Sequence, residues 1–215
     1  MERLNPFRRG KGTRIKVPLG ILITAGHKWA MAKYYFDIET HGPNPAPSPF
    51  TDKIITIQYQ PLDDVTGEAR GDLTILKEWE SSEGEIIKKF LPMVRKWDFI
   101  MVGNNLSYEK RFLIEKARQY GWFNLNEYQL NYEFPTIDLQ SIFVILNKGQ
   151  FKGCGMHNFT DKKMDGSRIK GWYESQQYGE IENYVREEAA GFIKFYSDLC
   201  LRMPEIWKRK ARENE

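Results

Sequence analysis

Asp37 and Glu39 stand one residue apart in the run Tyr34-Tyr35-Phe36-Asp37-Ile38-Glu39-Thr40, whose aromatic and β-branched neighbours favour a strand. Strand side chains alternate between faces, so the two carboxylates share one face about 7 Å apart while Tyr34, Phe36 and Ile38 take the other. Like charges so placed repel unless a cation neutralises them or water solvates them. Hard carboxylate oxygens suit Mg²⁺ or Mn²⁺; the competing reading is an edge strand with a solvated acidic face. A metal site would need further carboxylates from other segments.

Two other segments offer them. Ile181, Tyr184, Val185, Glu188, Ala189, Phe192, Ile193 and Tyr196 recur with helical period, so Glu188 interrupts an apolar stripe while Glu187 falls off it. A carboxylate in that position loses hydration, which a cation, hydrogen-bond donors or snorkelling to the stripe's margin must offset. Tyr184 lies one turn, about 6 Å, before Glu188. Glu109 begins a second stripe, continued by Phe112, Leu113, Ala117 and Tyr120, just after Gly103-Asn104-Asn105. Ser107 is expected to cap that helix and place Glu109 in its first turn, where acids also serve the helix dipole.

The elements that must position these groups read as an α/β chain. Strands are expected over 54–59 and 73–78 around a turn at Asp63-Asp64-Val65-Thr66-Gly67, which gives three consecutive antiparallel strands. The Pro-rich stretch 42–49 cannot pair in a sheet and leaves directly from Glu39, so it is expected to rim any site there. Ser82 and Glu85 form a capping box ahead of the periodic Ile86, Ile87, Phe90, Leu91, Val94 and Trp97. A short buried strand at 99–102, a strand edge at 134–138, a helix over 139–146 and a final helix over about 180–202 complete the pattern.

A chain of 215 residues with 41% hydrophobic and 14% aromatic content can bury a core within one domain and is not disordered throughout. No apolar run approaches the roughly 18 residues of a membrane span, so no membrane partner is expected. The net charge of +3 divides unevenly, with +7 in residues 1–33 and −4 in the rest. Residues 1–33 therefore read as a basic N-terminal extension, either an arm for a phosphate backbone or an extension with no binding role. Its apolar patch at 17–25 and Ala30-Met31-Ala32 meet the grammar of a signal peptide only in part, which argues against secretion. The folded domain is placed at 34–203 and a C-terminal tail at 204–215. Two distant cysteines, Cys154 and Cys200, fit a reducing, cytoplasmic setting, and Cys154-Gly155-Met156-His157 is at most half a zinc site.

On these residues the sequence resembles the DEDD superfamily of 3′-5′ exonucleases. Phe36-Asp37-Ile38-Glu39-Thr40 is similar to the first motif, Gly103-Asn104-Asn105-Leu106-Ser107-Tyr108-Glu109 to the second, and Tyr184-Val185-Arg186-Glu187-Glu188 to the third in the Tyr-containing DEDDy form. Glu109 and Glu188 depart from the pattern, since each replaces the family's Asp with a side chain longer by one methylene. A His-based third motif would use His157 before Asp161, but that spacing is one residue short, which favours Tyr184.

The resemblance implies a ribonuclease-H-like α/β fold, a mixed five-stranded sheet of three antiparallel strands followed by parallel ones, flanked by helices. It also implies phosphodiester hydrolysis with two Mg²⁺ or Mn²⁺ ions about 4 Å apart. In that scheme Asp37 bridges both ions, Glu39 and Glu188 complete the first site, Glu109 serves the second, and Tyr184 orients the attacking water. Ile38, Thr40 and Asn105 are the implied substrate contacts. Tyr35, Tyr108 and Trp172 are candidates for base stacking. The expected partner is nucleic acid with a free 3′ end, single-stranded DNA favoured over RNA. With no polymerase domain in the sequence, proofreading would call for a polymerase or DNA repair partner. The alternatives are a 3′-5′ exoribonuclease and a catalytically weakened nucleic-acid-binding module of the same fold.

Overall fold

Alternation of apolar and acidic residues gives the first strand, β1 (Ala32–His41), two unlike faces, and helices cover both. The computed structural model describes residues 31–44, 47–96, 99–121, 128–160 and 166–213. Most of the basic extension, residues 1–30, lies outside the described residues. β2 (Lys53–Leu62) pairs antiparallel with β1, and β3 (Thr74–Lys77) antiparallel with β2. On the other side of β1, β4 (Phe99–Gly103) runs parallel to it, and β5 (Thr136–Asp138) runs parallel to β4. The resulting order, β3-β2-β1-β4-β5, is the mixed, ribonuclease-H-like sheet that was expected.

Among the described residues, five α-helices flank it: α1 (Glu83–Lys96), α2 (Leu106–Gln119), α3 (Gln140–Leu146), α4 (Ile169–Glu174) and α5 (Tyr178–Glu213). Phe36 and Ile38 enter the core made with Ile86 and Phe90 of α1 and Phe112 and Leu113 of α2. The Phe36 and Phe90 rings stack at 4.9 Å. Tyr35 points the opposite way, into a core that includes Phe143 of α3 and Ala189, Phe192 and Tyr196 of α5. Full burial of each such side chain contributes about 1.5–3 kcal/mol, so both layers hold β1 in place. Asp37 and Glu39 therefore face the α5 layer.

Several expectations are corrected by tertiary structure. Ser107 does not cap α2; Asn105 is the cap residue, in the left-handed conformation (φ 55°) that Asn tolerates, and a carboxylate from β5 supplies the acceptors. Tyr120 leaves the α2 stripe and is 38% exposed, its hydroxyl donating to Glu83 Oε2 at 2.8 Å. α5 does not stop near Arg202 but continues to Glu213. In β2, Ile55 is an inserted residue opposite Glu39 and Thr40, and this bulge carries its side chain into the layer of α4 and α5.

Gly103 ends β4 where the chain must pass β1 closely. A Cβ there would stand 2.6 Å from the Phe36 carbonyl oxygen and 2.5 Å from Leu106 Cδ2. Backbone on one side and a fully buried leucine on the other leave nothing that can yield cheaply. Gly103→Ala is expected to destabilise the protein by about 1–3 kcal/mol, the range for overpacking. Urea denaturation checks this, as a lower midpoint with an unchanged slope.

Candidate metal centre

Three elements bring acidic residues to one cavity of about 260 Å³: β1 contributes Asp37 and Glu39, the first turn of α2 contributes Glu109, and α5 contributes Glu188. One oxygen from each of Asp37, Glu39 and Glu188 lies within 4.8 Å of the other two. Glu109 stands outside that closest trio but lines the same cavity and is only 6% exposed. Its Oε2 is buried with no hydrogen-bond partner among the described residues. Burial, and then the nearby charge of Asp37, hold the Glu109 carboxyl well above the usual carboxylate range. Among the described residues the lining contains no Lys or Arg.

Four carboxylates around a small cavity, with no side-chain cation among them, repel one another and lose hydration together. A divalent cation relieves both costs, and an all-oxygen donor set suits Mg²⁺ or Mn²⁺. The unpartnered Glu109 oxygen is a second sign that the residues fit such an ion. The cluster can thus chelate a divalent metal.

Tyr184 also lines the cavity, and its hydroxyl hydrogen-bonds to Glu188. Burial, followed by the charges of Glu39 and Glu188, pushes the phenol far above its ordinary range, so it remains a proton donor. A Cβ at Gly166 would lie 2.8 Å from this hydroxyl, so glycine there leaves the hydroxyl its place. Ile38, Thr40 and Asn105 are on the same lining. Thr40 Oγ1 and the Tyr108 hydroxyl share a hydrogen bond of 2.9 Å, and burial raises the Tyr108 phenol to about 12.

The stacking candidates and the Pro-rich loop are placed otherwise than expected. Tyr35 and Trp172, named as stacking candidates, are 2% and 7% exposed and belong to the core. Tyr35 and Tyr108 both line the cavity, and of the three only Tyr108 is half-buried. The described residues of the Pro-rich loop do not rim the cavity; Gly42 and Pro43 border a neighbouring one with Asp52 and Lys53. His157 is exposed in a 3₁₀ turn and does not line the cavity, and Asp161 lies outside the described residues. Cys154 and Cys200 are free thiols. No helix among the described residues is long and apolar enough to cross a membrane.

Some residues that shape the site have no counterpart in the sequence reading. Asp138, at the end of β5, accepts hydrogen bonds from the backbone nitrogens of Asn105 (2.8 Å), Leu106 (2.9 Å) and Gln140 (2.9 Å). It therefore fixes where α2 starts, and with it Glu109. Asp37 Oδ2 accepts hydrogen bonds from the Tyr35 hydroxyl at 3.2 Å and from Gln58 Nε2 at 3.0 Å. Asp138 follows an apolar strand as a turn residue would, and its capping of a distant helix is a three-dimensional fact.

The sequence matches no protein-family model and no curated protein. Among solved structures, the family B DNA polymerase from the hyperthermophilic archaeon Pyrobaculum calidifontis overlaps 81% of this chain with a TM-score of 0.53 and 13% identity. The chain spans only 25% of that polymerase. A structure of a 3′-exonuclease in 3′-end specific recognition of a histone mRNA stem-loop overlaps 60% of this chain and 53% of its own, with a TM-score of 0.41 and 10% identity. The likeness to the polymerase is one of fold.

Proposed function

We propose that the protein is a metal-dependent 3′-5′ exonuclease of the DEDDy type, acting on the 3′ end of nucleic acid, single-stranded DNA in preference to RNA. The observation that carries this reading is the convergence of Asp37, Glu39, Glu109 and Glu188 on one cavity whose described lining supplies no Lys or Arg. Asp37, Glu39 and Glu188 would hold the ions, with Glu109 completing the set, and Mg²⁺ or Mn²⁺ is the expected pair. When bound, divalent cations supply charge neutralisation at a phosphate and a water acidic enough to attack it.

The chain's own groups have separate tasks. Tyr184 keeps its proton, which it gives to Glu188 in a hydrogen bond, and its hydroxyl oxygen would orient the attacking water by accepting a hydrogen bond from it, with Gly166 leaving the hydroxyl its place. Ile38 offers apolar contact to the terminal nucleotide, and the Thr40 and Tyr108 hydroxyls offer polar contact beside it. Asn105, exposed at the start of α2, would touch the strand's backbone. The added methylenes of Glu109 and Glu188 favour Mn²⁺, which accepts oxygen ligands with a looser geometric demand than Mg²⁺.

The test uses the full chain with 5′-labelled single-stranded DNA and RNA in Mg²⁺, Mn²⁺ or chelator. The expected result is stepwise shortening from the 3′ end of the DNA in metal, faster in Mn²⁺, and none in chelator. Equal shortening of RNA would reassign the substrate to both nucleic acids. Binding of either strand without shortening in any metal would replace the enzyme with a nucleic-acid-binding module.

A further inference from the structure

β2 presents Thr56 and Gln58 to the sheet face that carries the carboxylates, and both are 0% exposed. The register sets Gln58 opposite Asp37 and Thr56 opposite Glu39. Burying a hydroxyl and an amide between a sheet and a helix layer is costly unless every polar atom finds a partner, and an apolar pair would avoid that cost. The partners form a directed chain. Thr56 Oγ1 donates to Gln58 Oε1 at 2.9 Å, and Gln58 Nε2 donates to Asp37 Oδ2 at 3.0 Å. The Tyr35 hydroxyl donates to the same Asp37 oxygen at 3.2 Å.

The direction of this chain has one solution. An ionised carboxylate only accepts, so the Gln58 amide must turn its nitrogen toward Asp37 and its oxygen toward Thr56, and Thr56 must then donate. Rotated the other way, the amide oxygen would face a carboxylate oxygen, two acceptors in contact, and the Thr56 proton would lose the amide oxygen as its acceptor. Two donors on one oxygen, one from β1 and one from β2, restrain the Asp37 side chain. So held, the group meets Glu39 and Glu188 within the 4.8 Å trio. We infer that Thr56, Gln58 and Tyr35 are positioning residues that hold the Asp37 carboxylate in its metal-binding orientation, Thr56 acting solely through Gln58. The inference rests on the proposed metal-dependent reading and adds to it the residues that make the site rigid before any ion arrives.

Calorimetric titration of the full chain with Mn²⁺, without nucleic acid, tests the relay, alongside thermal melts in chelator. Gln58→Met and Tyr35→Phe are each expected to weaken Mn²⁺ binding by about 10–100-fold, the usual loss when a partner of a metal ligand is removed. Thr56→Val, which touches no carboxylate in the relay, should weaken it in the same direction, while Thr56→Ser keeps the hydroxyl and should restore wild-type affinity. On single-stranded DNA at limiting Mn²⁺, kcat should fall in the three weakened variants with KM for the strand unchanged. A purely structural role would lower the melting temperature in chelator yet leave the Mn²⁺ affinity of the folded protein as in the wild type, and that result overturns the inference. Tyr35→Phe removes one hydroxyl from an intact ring, so it decides the matter even if Gln58→Met fails to fold. A wild-type protein that binds no Mn²⁺ would overturn both this inference and the reading beneath it; wild-type binding with unaltered variants overturns this one alone.

Discussion

Asp37→Asn is expected to remove hydrolysis of the 3′ end, with kcat falling about 10³-fold or more, since a metal site supplies several kcal/mol of transition-state stabilisation. The substitution is nearly isosteric, so the loss is not one of packing. Gln58 Nε2 and the Tyr35 hydroxyl both donate to residue 37 and both require an acceptor, which forces the new amide to turn its oxygen toward them. Its NH₂ group is then aimed into the cavity beside Glu39 and Glu188, where a cation should sit. The variant thus loses one negative charge and places donors against the metal. Single-turnover cleavage of labelled single-stranded DNA in Mn²⁺ measures the effect, and fluorescence anisotropy of the same strand measures binding, which should persist. Wild-type cleavage by Asp37→Asn would show that the carboxylate trio does not hold the catalytic ions.

The two acids of β1 could be read from sequence because a strand's period of two separates Phe36 and Ile38 from Asp37 and Glu39 whatever surrounds them. Glu188 was visible as a carboxylate inside an apolar helical stripe, and Ile181, Tyr184, Val185, Ala189, Phe192, Ile193 and Tyr196 around it are all buried. Three antiparallel strands followed from consecutive strand signals with no helix between them, whereas the mixed five-stranded sheet was implied by the family resemblance. What escaped notice is polar and depends on partners far away in the chain. Thr56 and Gln58, alternating with isoleucines, look like the solvated side of a strand, yet both are fully buried. Ser107 looked like a cap because local sequence offers it, whereas Asp138 wins by presenting two carboxylate oxygens to the adjacent nitrogens of Asn105 and Leu106. Tyr35 and Trp172 looked available for stacking because aromatic residues serve cores and surfaces alike, and composition cannot say which. The Ile55 bulge has no sequence signature, since a strand with one extra residue reads as a slightly longer strand.

Glu109→Gln is expected to separate stability from function, because burial that favours the neutral acid opposes folding whenever the group is ionised. Its folded-state pKa is raised, first by burial and then by Asp37, so the protein binds this proton more tightly when folded than when unfolded. The stability this proton contributes is fully present below the unfolded value of about 4.3 and is lost as pH rises through the raised folded value. In chelator, the wild type should therefore lose stability from mildly acid to mildly alkaline pH, and Glu109→Gln should flatten that slope. At the alkaline end the variant should be the more stable by about 1–3 kcal/mol, the cost of a buried polar group without a partner. For a chain of this size that is about 2–4 °C in Tm per kcal/mol. Excess Mn²⁺ should reverse the ranking, since a ligand at about 100 times its Kd stabilises the folded state by about 2.7 kcal/mol and the wild type binds it better. Cleavage should fall at least about a hundredfold in the variant, as misplacement of a reacting group by about 1 Å already does. Thermal melts across pH, with and without Mn²⁺, follow the stability arm, and the end-labelled DNA assay follows the other. A variant less stable than wild type in chelator at alkaline pH would mean that Glu109 is satisfied by protein groups and has no call for a cation.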